Sequence, residues 1–283
     1  MLGDKKEIQA GDGSTNIQGD KVTVVVNQGL SYTEVRQVSM DVFENNFYDL
    51  GEKVKKLVNE RAEEILNKYL KRLAEESPES INNTEDPDIR SSIFEVQKSY
   101  ARLGDKEISD LLVEVLIKRT INPGEPFIKL VLNEALTIIP KLTTKQINIL
   151  SLIYLVKYLS FIPQFNVSFD TYSQLIQPFL TKIEIPTNEI FYQHLQYCGC
   201  VSISIGEANF DTIMIHKFPY LFKNNEDLNP ALNLHPHLVH IKSIWNSSKL
   251  CNSTLSSVGI AIALNNLKVK AGYDWNLNLW IHE

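Results

Sequence analysis

Cysteine is scarce in this chain. Cys198, Cys200 and Cys251 are the only three in 283 residues, too few for a disulfide framework and odd in number, the pattern expected where thiols stay reduced. No stretch approaches the roughly 18 consecutive apolar residues that a membrane-spanning helix needs. The opening MLGDKKEIQAGDG also lacks the apolar core of a secretory signal. A cytoplasmic location with no membrane partner is therefore the expectation. Positive charge is short as well: 28 Lys and Arg against 34 Asp and Glu leave a formal net charge of -6. That balance removes the general electrostatic footprint of a non-specific nucleic-acid binder, although it does not exclude a local basic patch. The Asn-x-Ser/Thr triplets starting at Asn82, Asn166, Asn246 and Asn252 then read as products of an Asn- and Ser-rich composition.

What is present is enough for a core of good size, with 43% hydrophobic residues and 22% charged ones. From Glu7 to Gly29 short runs rich in Ile, Val and Thr alternate with Gly-Asp punctuation, which is strand-and-turn chemistry. Ile8-Gln9-Ala10-Gly11-Asp12 and Ile17-Gln18-Gly19-Asp20 are near copies. A hairpin this small is marginal in water and needs a partner surface. Ser31-Tyr32-Thr33-Glu34 follows as a capping box, and apolar residues recur at helical spacing from Val35 to Leu73. One helix over that whole stretch would exceed about 60 Å and project towards a partner. Glu76 to Asp88 reads as a loop by its Pro, Ser and Asn content. Shorter helices are predicted near 90–103, 106–120, 126–139, 143–161, 169–182, 187–197, 230–248 and 254–272, with Pro123, Pro126, Pro140 and Pro163 at or near their boundaries.

The fold class expected is mainly α: a multi-helix body with a short N-terminal β segment, one long helix, and a small winged-helix-like hairpin near the C-terminal third. In that hairpin Val201 to Ile205 is one strand and Thr212 to His216 its return. The organisation expected is an oligomerisation segment over 1–29, a helical domain over 30–140, the winged-helix-like segment over 141–222 and C-terminal helices over 223–283.

Three groups of residues invite a chemical reading. His194 and Cys198 are four apart on a helix, and with Cys200 they offer soft ligands that suit zinc, but no second ligand pair follows. His235, His237 and His240 form an H-x-H-x-x-H cluster without the glutamate of H-E-x-x-H. Gly11-Asp12-Gly13-Ser14-Thr15 lacks the lysine of a phosphate loop. Pairs such as Glu63-Glu64 and Glu75-Glu76 fall on the polar side of the long helix and read as solvated surface. The helix over 187–197 carries Asn188, Gln193 and Gln196 but no Arg or Lys, so it suits a structural or protein-binding role better than base reading. No catalytic, cofactor-binding or metal residue is assigned on these grounds. Ile17, Val22, Val24, Val26, Val35, Val38 and Val42 are the expected oligomerisation residues, because an apolar strand edge demands pairing.

The run GDGSTNIQGDKVTVVVNQGLSYTEVRQVSMDVFENNFYDL, together with ARLGDKEISDLLVEVLIKRT, QYCGCVSISIG and LSSVGIAIA, resembles an uncharacterised bacterial family over nearly the whole chain. Its most specific mark is the Gly-Asp-x-Ser-Thr-Asn-Ile-Gln opening joined to Leu30-Ser31-Tyr32-Thr33-Glu34-Val35-Arg36. Similar openings stand ahead of other domains in bacterial proteins, some of them at phage-defence loci. The resemblance implies an antiviral context and brings no catalytic residue. The leading expectation is a self-associating interaction or scaffold protein with a protein partner. A regulator or sensor that contacts nucleic acid, and an enzyme with a site assembled from scattered residues, remain as alternatives.

Overall fold

The computed structural model describes residues 30–47, 51–122, 124, 126–161, 167–179 and 185–279. Helix α1 (Tyr32–Asn46) opens on the predicted capping box: the Glu34 N–H donates to Ser31 Oγ, and the Ser31 N–H donates to the Glu34 carboxylate at 2.7 Å. The single long helix predicted beyond it is not formed. The chain breaks after Asn46, and α2 (Glu52–Glu76) starts from Gly51, whose φ of 85° is a conformation that side-chain-bearing residues avoid. The two helices then lie antiparallel. Arg36 donates to Asn67 Oδ1 at 3.1 Å and pairs with Glu63, while Phe43 is buried among Val58, Ala62 and Ala101. The apolar stripe expected to face another chain is thus largely covered within its own: Val35 is buried, and Val38 and Val42 are half-buried. Ile17, Val22, Val24 and Val26, like the Gly11–Thr15 run, lie outside the described residues.

A 3-10 segment (Pro78–Glu85) stands where a loop was predicted, and α3 (Pro87–Leu103), α4 (Lys106–Ile121) and α5 (Pro126–Ile138) follow. Leu111, Leu112, Val113, Val115, Leu116 and Ile117 of α4 are all buried. Buried along most of its length, with Glu114 and Arg119 meeting ion partners inside the fold, this helix runs through the middle of the body. A second capping box, Thr143 with Gln146, starts α6 (Thr144–Ile153), whose end widens into a π turn over Tyr154–Tyr158. Helices α7 (Phe169–Ile176) and α8 (Glu189–Tyr197) lead to the three-residue strand β1 (Val201–Ile203).

Here the winged-helix-like reading needs correction. Thr212 to His216 is not a return strand but part of α9 (Phe210–Lys217), because Asn209 caps that segment by accepting the Asp211 N–H at 2.9 Å. The partner of β1 is β2 (Ser253–Leu255), antiparallel, with Val201 opposite Leu255. Between the two strands the chain inserts α9, α10 (Asn225–Asn233) and α11 (Pro236–Ser247). The helix predicted over 230–248 is therefore divided before Pro236.

Helix α12 (Ser257–Ala271) returns to pack on α4, α5 and α6. Its first turn comes so close to β1 that a Cβ on Gly259 would sit 2.0 Å from the Cys200 carbonyl oxygen, so only glycine fits. One continuous apolar core runs from Val35 to Leu267, and the mainly α expectation holds. Among the described residues no helix is long and apolar enough to cross a membrane.

Candidate functional site

The predicted metal candidates are each drawn into a different arrangement. His194 Nδ1 lies 2.9 Å from Gln146 Nε2, while its Nε2 is 3.8 Å from Cys198 Sγ. Cys200 Sγ is directed instead to the Cys198 carbonyl at 3.8 Å. Burial pushes the Cys198 thiol up and the Cys200 thiol to about 12, so both favour the protonated form over the thiolate that binds metal. Cys251 is likewise free and buried. Among the described residues no group of three or more His, Cys, Asp and Glu side chains converges to hold a metal ion.

His235 and His237 do converge, on Ser173 of α7. The Ser173 Oγ lies 3.0 Å from His235 Nδ1 and 2.7 Å from His237 Nε2, and His235 Nε2 is 2.8 Å from Asp170 Oδ1. His240 is exposed and stands outside this chain of contacts. The order Asp, His, Ser has the look of a nucleophile and its base. However, Ser173 is only 2% exposed, so its hydroxyl is sealed from a substrate. What the arrangement does is fasten the buried face of α7 to the start of α11.

The exposed face of α8 is different in kind. Ile190 and Tyr197, seven apart and hence on one face, are 70% and 87% exposed, with Gln193 and His194 exposed between them. Ile205, just beyond β1, is fully exposed. The helix carries no Lys or Arg.

Two lysines that sequence reading passed over define a cavity of about 510 Å³ between the π turn and α9. Lys157 lies on the π turn and donates to the carbonyls of Cys251 at 3.0 Å and Ser253 at 2.6 Å, with its ammonium 5.6 Å from the Trp245 ring. Lys217, at the end of α9, donates to the Leu155 carbonyl at 2.6 Å and stands 5.2 Å over Tyr172. Burial pulls both ammonium groups below their ordinary range, Lys217 down to about 7. Ser160, Thr212, His216 and Tyr220 line the same space. A signal was there to read: Lys157 is the one charged residue between Ile147 and Phe161.

A second cavity, about 360 Å³, lies beneath residues 274–277 and is also lined by two lysines, Lys118 and Lys268. Here acids meet them. Lys118 donates to Asp274 at 2.8 Å, and Lys268 lies 2.9 Å from Glu114, 3.3 Å from Asp274 and 3.4 Å from Glu76.

The regular structure of the described residues is helical apart from the β1–β2 pair, which defines a mainly α protein. A protein-family model matches residues 29–233 and again 224–281, and the chain belongs to that uncharacterised family. No curated protein and no solved structure matches the chain.

Proposed function

We propose that this chain is a self-associating interaction or scaffold protein, and that the exposed face of α8 meets the same face of a second copy. The observation that carries the reading is the pair Ile190 and Tyr197, two large side chains left in solvent on one face of a short helix. A copy of the same chain suits it as occupant because the face is nearly free of charge. Gln193, His194 and Gln196 surround the two apolar residues, with Glu189 at the helix start, so a two-fold contact brings few like charges together. A phosphate backbone suits it poorly, since no Lys or Arg is available on α8 to neutralise phosphates. Ile17, Val22, Val24 and Val26 are proposed as a second adhesive element ahead of α1. The setting proposed from the resemblance of residues 11–36 is the bacterial cytoplasm, with antiviral defence as the process and a further protein as partner.

Light scattering on the intact chain at tens of micromolar tests the reading. A mass of two or more copies is expected, falling to one copy in Ile190→Glu/Tyr197→Glu and falling in part in Val22→Lys/Val24→Lys/Val26→Lys. An intact chain that stays monomeric overturns self-association, and a double α8 variant that keeps its assembled mass removes α8 from the interface.

A further inference from the structure

We propose that Lys157 and Lys217 hold the anionic head of a small organic phosphate monoester in the cavity between the π turn of α6 and α9. The inference is independent of self-association. It rests on charge that the fold itself does not balance. Among the described residues neither lysine forms an ion pair, and the acid lining the cavity, Glu207, is exposed and pairs with neither. Both residues are half-buried, and an ammonium partly withdrawn from water without a counter-ion carries a desolvation penalty, which an anion in contact with it offsets.

Each lysine has donors to spare. An ammonium has three N–H groups; Lys157 places two of them on carbonyls and Lys217 places one. Those bonds fix each head group against the cavity wall and leave the remaining donors for a ligand. The π turn sets this up. In it the Leu159 N–H reaches back to Tyr154 at 2.9 Å, and the Leu155 carbonyl is left to accept from Lys217 and from the Tyr172 hydroxyl at 3.3 Å. Widened turns of this kind recur at binding sites.

An anion in contact with them holds both ammonium groups in the charged form, two cations call for a dianion, and a phosphate monoester is the common organic dianion near neutral pH. Ser160, Thr212 and His216 add hydrogen-bonding groups beside the lysines. The space is much larger than an inorganic ion needs, about 510 Å³, and falls within the range of small-molecule sites. Its remaining wall is apolar and aromatic, with Phe161, Ile213 and Tyr220, which fits an organic body on the phosphate.

Isothermal titration of the intact chain in phosphate-free buffer, with inorganic phosphate, phenyl phosphate and phenol as probes, tests the site. Saturable phosphate binding below about 10 mM is expected, with phenyl phosphate at least tenfold tighter and phenol at least tenfold weaker than phenyl phosphate. Lys157→Met and Lys217→Met are each expected to weaken phenyl phosphate tenfold or more. Because either variant touches buried structure, Thr212→Glu supplies a second route: it brings a carboxylate to an exposed position on the cavity and is expected to weaken binding in the same direction, with the fold kept. Acylation of Lys217 followed by mass spectrometry is expected to slow when phosphate is present. Absence of saturable phosphate binding up to about 10 mM, or phenyl phosphate bound equally by the wild type, Lys217→Met and Thr212→Glu, overturns the proposal. Phenol bound as tightly as phenyl phosphate overturns it as well.

Discussion

Lys118 and Lys268 line one cavity and Lys157 and Lys217 the other, yet the two pairs sit in opposite electrostatic settings. Around Lys268, burial alone would pull the ammonium down, but Glu114, Asp274 and Glu76 more than offset it and hold the group above its ordinary range. The same half of the molecule buries Arg119 completely and meets it with Asp88. Burial would raise the Asp88 carboxyl, but hydrogen bonds from Asn133, Arg119 and Lys129 bring it down to about 2. In the other cavity no carboxylate answers the desolvation of Lys157 and Lys217; Cys251 opposes it only weakly at Lys157, and both are pulled down. A buried cation that meets its acid within the fold serves the fold. One that meets only carbonyls and rings leaves charge available to something else.

The sharpest way to break this contrast is to take the acid away from the paired side. Glu114 is 1% exposed and holds both Arg72, at 2.6 Å, and Lys268. Removing one partner of a buried pair leaves the other uncompensated, so Glu114→Ala is expected to cost roughly 3 kcal/mol by urea unfolding, the largest effect foreseen. A loss under about 1 kcal/mol would mean that these pairs are no more than surface decoration, and the contrast would collapse.

A second test works on the unpaired side. The unfolded chain keeps the proton on Lys217 up to about 10.5, whereas the folded chain releases it near 7. Between those values the unfolded state binds more protons, so this group makes stability rise with pH across the window. Lys217→Met removes the titration. The stability difference, wild type minus variant, is therefore expected to grow by roughly 2 kcal/mol between pH 7 and pH 9. Using the difference matters, because buried thiols titrate in the same range with the opposite slope. A difference that stays flat shows that Lys217 is not desolvated in solution, and the open-charge reading goes with it.

Much of the scaffold was legible in the residues because local chemistry decides it. Ser31 with Glu34 announces α1, and the prolines mark helix ends in the middle of the chain. What failed did so for identifiable reasons. Gly51 looks like a tolerable weak point in a long amphipathic run, yet with its positive φ it starts a new helix instead of continuing the first. Thr212-Ile213-Met214-Ile215 has strand composition, but Asn209 supplies a helix cap just ahead of it, and tertiary packing overrides the β preference. The true return strand, Ser253–Leu255, is too short for any periodicity to show. The cavity was hidden because Lys157 and Lys217 lie sixty residues apart and the burial of each depends on elements from both. For His235, His237 and His240, the spacing allows two imidazoles to converge. The fold brings two of them to Ser173, a residue that no motif singles out.

That serine node allows the finest test of the contrast, since it is a buried polar cluster built on shared hydrogen bonds rather than on full charges. With Asp170 accepting from His235 Nε2, the Nδ1 of His235 can accept the Ser173 hydroxyl proton, and the Nε2 of His237 can donate to the Ser173 oxygens. Burial pulls His237 below its ordinary range, and the neighbouring His235 adds to this, against the Ser173 backbone, which favours the charged ring. The folded state thus resists protonating His237 while the unfolded chain takes up the proton near pH 6.5. Unfolded molecules hold more protons just below that pH, so the contribution of this group to stability is present at pH 7.5 and declines as the pH falls towards 5. Thermal unfolding of the wild type and His237→Gln across that range is expected to show a shallow excess loss in the wild type on acidification, the smallest of the three effects. Gln retains a donor that can still reach the Ser173 oxygens, so the variant tests the titration more than the contact. Parallel curves would show that His237 protonates freely in the folded chain, and that the link between α7 and α11 depends on packing of Phe169 against His235 more than on the hydrogen-bonded chain.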